Sequence, residues 1–420
     1  MLDNDAKTLD PPPDSDSKTV LWVITELYYP EETSTGYYLT QTAEGLAGHF
    51  DVKVICGQPN YSARGIHAAK HEIHKNVEIF RAAGTTLNKN IIAFRLLNML
   101  TLGLSVFFTG LAKFRAGERV LVVTTPPSLP FVAAIAALIR GANYVLLIHD
   151  NYPEILFAVG KFNERSLLAT ILSYCNRWLY KNASKIIVVG RDMESLIKTK
   201  TEGLDIPIAV IQNWSELETV KPASRTDNTL LKELGLESKF VFLYAGNMGH
   251  PNDIKTIVDS AHQLKNNGDI HFIFLGTGVK EGFLRRSVEE MNLLNITILA
   301  PKPRAEQIVF LNACDVAIVS LVKRMRGVSM PSRTYNILAA GKPMLALTEA
   351  GSELALVIDE DKVGWHIAAG DVSGLTALIL EIYKTRDGLL TFEKRSRHSA
   401  VTKYSIEVAL NKYIKELAVT

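Results

Sequence analysis

An arginine at the start of a short predicted helix is the first residue whose setting indicates chemistry. Arg333 follows Pro331 and Ser332, a candidate N-cap, and the helix would end at Gly341, just before Pro343. The apolar runs "DVAIVSL" before this helix and "MLAL" after it predict two buried strands. The N–H groups of the helix start, together with the arginine side chain, predict an anion site at a sheet edge. A well-capped structural helix is the alternative.

Short turns follow the other predicted strands of the C-terminal half. Gly246, Asn247 and Gly249 follow "VFLYA", Gly276 and Gly278 follow "FIFL", Pro303 follows "ITILA", and Ser332, Arg333 and Thr334 open the helix described above. The carboxyl ends of parallel strands share one edge of a sheet, where ligands of such sheets bind. Glycine also serves tight turns for backbone reasons alone. Several such turns beside an arginine nevertheless predict a site for a diphosphate-containing ligand.

The N-terminal half offers fewer candidate residues. Gly36 ends the loop "EETSTG", and a residue without a side chain would let that loop approach a diphosphate. His149 and Asp150 end the strand "YVLLI". His149 is either a buried polar cap on the strand or a hydrogen-bonding group for a polar ligand, and both interpretations stay open. The acidic motifs "DSD" (Asp14 and Asp16) and "DED" (Asp359, Glu360 and Asp361) resemble metal motifs but lie in a polar tail and a solvated turn, so we expect no metal.

Composition limits the class of protein. The chain has 420 residues, of which 47% are hydrophobic and 21% charged, and its formal net charge is +2. This length predicts two domains, and the near-neutral charge gives no reason to expect nucleic-acid binding. The three cysteines are scattered without a paired spacing, which favours a reducing cytoplasm and argues against zinc. The chain therefore has no expected cofactor and a predicted cytoplasmic location, with association to the cytoplasmic face of a membrane as a further expectation.

The order of apolar and polar runs predicts an α/β protein. Near-continuous apolar strands alternate with amphipathic helices, a pattern typical of parallel sheets covered by helices on both faces. The predicted parts are a disordered tail over 1–18, a Rossmann-like domain over 19–213, a linker over 214–238, and a second Rossmann-like domain over 239–400, with a final helix over 404–418 that packs back on the first domain. We expect the two parallel sheets to face each other across a cleft.

One apolar segment could contact lipid. Residues 96–114, "LLNMLTLGLSVFFTGLAKF", are flanked by basic residues and interrupted by polar ones on one side. The favoured interpretation is a core helix packed on a sheet. The alternative is a helix that packs inward on one face and rests on anionic lipid with the other.

The sequence of motifs resembles family 4 glycosyltransferases of the GT-B fold, in particular the WbuB-like branch of bacterial surface-polysaccharide enzymes. The resemblance covers about residues 19–415 and includes "YYPEETSTGYYLTQTAEGLA", "VICGQPNY", "TTPPSLPF", "HDNYPE", "YAGNMG", "FLGTG", "ACDVAIVSL" and "SMPSRTYNILAAGKPMLAL". It implies a retaining, metal-independent hexosyltransferase that moves a sugar from a UDP- or GDP-linked donor. It further implies a lipid-linked saccharide acceptor and a role in O-antigen, capsule or exopolysaccharide synthesis.

The chain departs from that family at the helix itself. Family members carry two glutamates here, and this chain has Val328 and Asn336 at those positions. A basic pair after the first strand of the second domain is replaced by the turn over 247–252. The branch shows Pro-Ser-Lys where this chain has Pro-Ser-Arg, so Arg333 would cradle the diphosphate. Asn336 would hold sugar or ribose hydroxyls and His149 would contact the donor sugar.

Two other functions remain possible from the sequence. A nucleotide-sugar epimerase of the same fold would need an acid–base pair around the sugar, and no clear pair is present. A non-catalytic subunit that binds nucleotide sugars within a polysaccharide assembly complex would explain the missing glutamates.

Overall fold

Parallel strands make up most of both sheets of this protein. The computed structural model describes residues 18–60, 66–87 and 91–418. The strands are β1 (Val20–Ile24), β2 (Asp51–Cys56), β3 (His71–His74), β4 (Val77–Arg81), β5 (Arg119–Val123), β6 (Asn143–Ile148), β7 (Lys185–Val188), β8 (Ile208–Val210), β9 (Phe240–Ala245), β10 (Ile270–Leu275), β11 (Ile296–Leu299), β12 (Val316–Ser320), β13 (Met344–Leu347) and β14 (Gly364–Ile367). Apart from β3, which runs antiparallel to β4, the paired strands of the described residues are parallel.

Helices connect these strands. They are α1 (Ser34–Leu46), α2 (Ile92–Lys113), α3 (Leu129–Arg140), α4 (Glu154–Ala158), α5 (Leu167–Lys181), α6 (Arg191–Lys200), α7 (Thr229–Leu234), α8 (Ile254–Gln263), α9 (Glu281–Glu290), α10 (Gln307–Leu311), α11 (Arg333–Ala339), α12 (Glu353–Asp361), α13 (Val372–Lys384), α14 (Leu389–Thr402) and α15 (Ile406–Ala418), with 3₁₀ turns at Arg304–Glu306 and Arg386–Gly388. A helix between successive parallel strands is the βαβ unit, so the predicted α/β class is confirmed.

The two sheets differ in strand order. The eight-stranded sheet has the order β3-β4-β2-β1-β5-β6-β7-β8, and the six-stranded sheet has the order β11-β10-β9-β12-β13-β14. In the six-stranded sheet the order reverses at β9, which pairs with β10 on one side and β12 on the other. Such a switch point leaves a crevice at the carboxyl ends of the strands, where ligands of open α/β sheets bind.

The described residues form two compact units. The first holds the described part of 18–147 together with 183–185 and 413–418, and the second holds 148–182 and 186–412. In the first unit, Lys185 donates through Nζ to the carbonyl of Glu416, which fixes the last turns of α15. The predicted domain limits, with a linker over 214–238, remain a prediction, because this grouping follows packing alone. The predicted disordered tail over 1–18 lies outside the described residues except for residue 18.

An aromatic core supports the six-stranded sheet. Phe242 and Phe272 stack on each other on neighbouring strands with their ring centroids 5.5 Å apart, and the rings of Tyr244 and Phe274 are tilted against each other at 5.9 Å. All four side chains are fully buried. Aromatic pairs of this kind contribute about 0.5–1.5 kcal/mol beyond the area they bury. The strands that end at the candidate site are therefore anchored in a buried aromatic core of the second unit.

The predicted strand–helix–strand segment around Arg333 is confirmed. It consists of β12, α11 and β13, and Gly341 follows the helix with φ +66° and donates to the carbonyl of Leu338 at 2.9 Å. A glycine in the left-handed conformation is the usual helix terminator. Ser332 occupies the N-cap position, but its side chain does not cap the helix.

Helix α2 exposes much of its apolar surface. Its buried side chains include Asn98, Leu102 and Val106, whereas Leu96, Leu100, Leu104 and Phe108, spaced by four residues, are 49–63% exposed. The core-helix interpretation is therefore wrong for one face of the helix. Residues 93–113, with mean hydropathy 1.5, are long and apolar enough to cross a membrane by length and composition alone, a test that core helices of soluble proteins also pass.

Candidate functional site

Two glycine turns interlock at the carboxyl ends of β9 and β10. A Cβ atom on Gly276 would lie 2.1 Å from the carbonyl oxygen of Gly246, and one on Gly278 would lie 2.6 Å from that of Met248. The N–H of Met248 donates to Thr277 at 2.8 Å, which holds the turns together. Both glycines have φ above +140°, where side chains are strained. Their identity is thus explained by backbone contact, and a ligand role is not needed to account for it.

Arg333 lies against the first of these turns. Its guanidinium donates to the carbonyl of Ala245 at 3.3 Å and to Oδ1 of Asn252 at 2.9 Å. The carbon of the guanidinium is 4.8 Å from the ring centroid of Tyr244, a cation–π contact. A Cβ on Gly246 would approach the guanidinium to 2.9 Å, so glycine is needed for this side chain to lie flat on the turn.

Asn252 is itself held in place. Its Nδ2 donates to the carbonyl of Asn247 at 2.9 Å, and the Tyr244 hydroxyl donates to the same carbonyl at 2.7 Å. These bonds fix the amide so that its oxygen faces Arg333. The guanidinium is therefore positioned before any ligand arrives, and such preorganisation is what electrostatic stabilisation requires.

The charge of Arg333 is not neutralised by the partners that hold it. Both acceptors, a backbone carbonyl and an amide oxygen, are uncharged. Arginine has five N–H donors, and these two bonds leave donors for a planar oxyanion. Arg304 of the same unit differs, because it forms a two-bond pair with the carboxylate of Glu216. Arg333 is thus suited to bind an anion, whereas the charge of Arg304 already has its counterion.

The helix start offers fewer N–H donors than expected. The N–H of Thr334 donates to Pro331, and that of Tyr335 donates to Ser332, each at 3.2 Å. The expectation of free N–H groups across this turn is therefore wrong at these two positions, because the chain tightens into i to i−3 contacts. Thr334 is fully buried and its hydroxyl has no hydrogen-bond partner. Contact of that hydroxyl with a ligand would require a local rearrangement.

Asn336 belongs to a buried polar network rather than to an open surface. Its Nδ2 donates to Glu216 and, at 2.7 Å, to Oε1 of Gln307, while its Oδ1 accepts from the N–H of Glu216 at 3.0 Å. Both N–H donors of its amide are thus used within the fold, which does not prepare it for the expected contact with sugar hydroxyls. Pro303 lies exposed at the start of the 3₁₀ turn that carries Arg304, so the pair between Arg304 and Glu216 fixes the turn at Pro303.

The strand end at His149 contacts the segment that leads into α11. Asp150 forms an antiparallel bridge with Ser329, and Asn151 donates through its backbone to Val328 at 2.8 Å and through its side chain to Gly327 at 2.7 Å. These residues all belong to the second unit. His149 therefore lies in the same compact unit as α11, and its contact with a donor sugar stays a prediction.

Burial shifts the titration of both residues at this strand end. It lowers the pKa of His149 to about 4, so the imidazole is neutral near pH 7. Burial raises the pKa of Asp150 to about 6, against a hydrogen bond from Ser329 that lowers it. A neutral imidazole can donate or accept a hydrogen bond but adds no charge to the site.

Two other glycine candidates lie in tight local packing, and a third candidate, Asn247, does not. A Cβ on Gly36 would lie 2.9 Å from the carbonyl of Glu31 in the first unit, and one on Gly249 would lie 3.0 Å from Nδ2 of Asn247. Asn247 is exposed at the tip of the turn. Their roles in ligand binding remain predictions.

Sequence reasoning missed three residues of this site. Tyr244 and Asn252 support Arg333, and Glu216 binds Asn336. Asn252 ends the turn that replaces the basic pair of related chains, which was a usable signal. Glu216 lies in the predicted linker, 120 residues before Asn336, and nothing in the local sequence indicates the contact.

Comparison with known families gives two matches that together span most of the chain. Residues 34–214 match the model for the glycosyl transferase 4-like domain, and residues 227–400 match the model for glycosyl transferases group 1.

Two relatives align over long stretches. WbjE of Pseudomonas aeruginosa, named a probable glycosyltransferase, is 34% identical over 271 residues, which cover 64% of this chain and 67% of WbjE. WcaI of Escherichia coli (strain K12), a glycosyl transferase provisionally assigned to colanic acid biosynthesis, is 24% identical over 340 residues, covering 78% of this chain and 83% of WcaI.

Solved structures share the fold at low sequence identity. A sucrose-phosphate synthase from Thermosynechococcus elongatus aligns with a TM-score of 0.77 and 15% identity, covering 96% of this chain and 100% of that one. HepE of Anabaena, in complex with UDP-glucose, aligns with a TM-score of 0.69 and 15% identity, covering 96% and 99%.

Proposed function

Since the chain belongs to the family 4 glycosyltransferases of the GT-B fold, we propose that it is a retaining transferase that uses a nucleoside-diphosphate sugar. One observation carries the proposal: a preorganised arginine at the switch point of the six-stranded sheet, held by uncharged partners. A diphosphate is the anion that would use its remaining donors in a bidentate contact.

In the proposed reaction, Arg333 stabilises the leaving group. The bond between C1 of the donor sugar and the β-phosphate oxygen breaks while negative charge builds on the diphosphate, and the guanidinium offsets that charge. The acceptor hydroxyl forms the new bond to C1 from the same face. This same-face attack retains the configuration at C1, and because the hydroxyl proton passes to the departing phosphate oxygen, no side chain need act as base.

The donor is proposed to be UDP- or GDP-linked, without a cofactor or metal. Support comes from Arg333, which supplies a fixed positive charge where a divalent cation would otherwise offset the diphosphate. HepE, which shares the fold, is a UDP-glucose complex in its solved form. The exposed ring of Pro303 and the turn that Arg304 fixes would border the nucleotide base.

The acceptor is proposed to be a lipid-linked saccharide of a surface polysaccharide, reached at the cytoplasmic face of the membrane. The assignment of WcaI to colanic acid biosynthesis supports the polysaccharide class. Helix α2 supports the membrane contact, because its exposed face is apolar, its sequence lacks acidic residues, and Arg95 and Lys113 stand near its ends. If the wild-type protein does not bind anionic vesicles at low salt, the proposed membrane contact is contradicted.

A thermal-shift panel with UDP, GDP, dTDP, CDP and ADP tests the donor site. A nucleotide at 100 times its Kd should stabilise the protein by about 2.7 kcal/mol, enough for a measurable shift of Tm. We expect one of UDP and GDP to stabilise the wild type and to lose most of that effect with Arg333→Ala. Stabilisation by none of the five would contradict the proposal, and an equal shift in the variant would exclude Arg333 from the site.

A further inference from the structure

A cationic pocket lies in the second unit between the end of α4 and the start of α5. It has a volume of about 460 Å³, and its lining includes Lys161, Arg165 and Arg324 together with Glu164, Phe157 and Phe162. Glu164 pairs with Arg324, which leaves the charges of Lys161 and Arg165 in excess. An open pocket with excess positive charge and two phenyl rings fits the anionic group of an amphipathic ligand.

The pocket walls are fixed by packing beneath them. Leu321, Met325 and Val328 form a buried apolar cluster against which Ile155 and Ala158 pack. This cluster packs the loop after β12, which carries Arg324, against helix α4. The residues that follow α4 form the other wall of the pocket. The hydrogen bonds of Asn151 to residues 327 and 328 reinforce the same junction. The wall that carries Arg324 is therefore held against helix α4 by packing.

An apolar stripe begins where the pocket ends. Leu167, Ile171, Tyr174 and Trp178 follow a helical spacing along α5 and are 40–76% exposed; with Leu168 they form what we call the α5 face. Exposed apolar patches of this kind mark binding surfaces, and Trp and Tyr are typical of the membrane–water interface. The opposite side of α5 is buried through Ala169, Asn176 and Leu179, so the stripe is not the helix's packing side.

Charge decides what covers the α5 face. The helix sequence "LLATILSYCNRWLYK" contains Arg177 and Lys181 and no acidic residue. A second copy of the chain placed on this face by two-fold symmetry would bring like charges together without an acidic complement. A membrane that contains anionic lipid supplies both the negative charge and the hydrocarbon.

The pocket also lies close to the turn after β9. Burial lowers the pKa of His250, and the positive charges of Lys161 and Lys280 lower it further. His250 directly follows Gly249 of that turn, and Lys280 donates to its carbonyl at 3.0 Å. Lys161 is thus within electrostatic reach of the turn on which Arg333 lies.

We propose that the pocket of Lys161, Arg165 and Arg324 binds the diphosphate of a membrane lipid while the α5 face contacts the hydrocarbon region around it. This lipid is the carrier of the saccharide acceptor, and that identity rests on the proposed function. The binding site itself does not, because it is argued from charge and apolar exposure within the second unit.

Vesicle binding with charge-reversal variants tests the pocket. The probes are phosphatidylcholine vesicles with and without a long-chain polyprenyl diphosphate, and phosphatidylglycerol vesicles of equal total charge. We expect the wild type to prefer the polyprenyl diphosphate vesicles, and Lys161→Glu with Arg165→Glu to weaken that binding by at least about ten-fold. The matched control, Lys394→Glu with Arg395→Glu, changes the same charges on exposed positions of α14 and should bind as the wild type does.

Helix α2 is unchanged in all these variants, so any binding through it is common to them. Equal binding of the pocket variant and the wild type would overturn the proposal. So would equal wild-type binding to phosphatidylglycerol vesicles, which would indicate a general anionic surface. Inorganic diphosphate that binds the pocket as tightly as the polyprenyl diphosphate vesicles do would indicate a site for free diphosphate and overturn the lipid assignment.

A spectroscopic readout tests the α5 face separately. Trp178 fluorescence should be quenched by brominated lipids in the polyprenyl diphosphate vesicles, and Trp178→Phe should remove that component of the quenching. Identical quenching in the wild type and Trp178→Phe would overturn contact through this face. The Tm shifts that UDP and GDP cause, measured on the pocket variant, distinguish the lipid site from the donor site. Unchanged Tm shifts together with lost vesicle binding support the lipid site. Absence of any Tm shift with these nucleotides in the wild type would contradict only the proposed function.

Discussion

The first and second turns of α11 hold polar side chains in opposite ways. Arg333, on the first turn, is charged and is held by two neutral oxygens and an aromatic ring. Asn336, three residues later, is neutral and is enclosed by a carboxylate, an amide and a backbone N–H. The sequence predicts a ligand contact for both, with the diphosphate for Arg333 and sugar or ribose hydroxyls for Asn336. Their surroundings show that Arg333 keeps N–H donors and a positive charge for a ligand, whereas the N–H donors of Asn336 are used within the fold.

Replacement of Arg333 should give the largest effect. Arg333→Ala should lower kcat by about 10²–10³, the loss that follows removal of one preorganised oxyanion donor. Arg333→Lys should recover part of this, because it restores the charge but not the planar fork. Turnover of a nucleotide sugar with an unchanged Tm is the measurement, and a near-normal rate for Arg333→Ala would break the distinction between the two turns.

Removal of the carboxylate of Glu216 should mainly affect stability. Glu216→Ala leaves Arg304 and the Asn336 amide without their partner in a largely buried place, and we expect the free energy of unfolding to fall by about 2–4 kcal/mol. Denaturant unfolding measures this loss. Glu216→Leu combined with Arg304→Met should restore much of it, since the pair is removed together. A large loss of kcat with unchanged stability would mean that the second turn acts on the substrate after all.

The strand end beside α11 should respond to pH. The pKa of His149 is about 4 in the folded protein against 6.5 for a free imidazole, so the unfolded chain binds the extra proton between these values. Its contribution to stability is therefore present above pH 6.5 and is lost as the pH falls to 4. Asp150 acts oppositely, because its raised pKa of about 6 favours the folded state at lower pH.

A matched variant isolates the histidine. His149→Gln should gain stability relative to the wild type as the pH falls from 6.5 to 4, while the Asp150 contribution stays in both proteins. Urea unfolding at several pH values measures the difference. A wild-type-to-variant difference that does not change over this window would show that His149 is not titrated as its burial indicates.

The smallest effect is expected at Thr334. Its hydroxyl is buried and has no partner, so Thr334→Val should leave the free energy of unfolding unchanged or raise it by up to about 1 kcal/mol. Nucleotide affinity should change less than about two-fold, because the hydroxyl has no access to a ligand. A strong loss of affinity in a titration calorimeter would show that the helix start rearranges on binding.

Features that depend on residues close together in the sequence could be predicted, whereas contacts between distant segments could not. Apolar strands, Gly341 and the position of Arg333 all follow from patterns within a few residues. The contact of Glu216 with Asn336 joins segments 120 residues apart, and no periodicity encodes it. From the sequence, an exposed side of α2 is only the alternative to a core helix. Hydropathy shows that a helix is apolar, but it does not show how many of its sides are covered.

The interlocked turns limit how this protein could be redesigned. In most members of a library that varies positions 246, 276 and 278, the new side chain would collide with the neighbouring turn or with Arg333, because each glycine leaves room for one of them. Asn247 and His250 are exposed on the same turn, and neither position requires a residue without a side chain. Randomising these two positions, with the glycines fixed, would vary the exposed surface of this turn while keeping its backbone contacts.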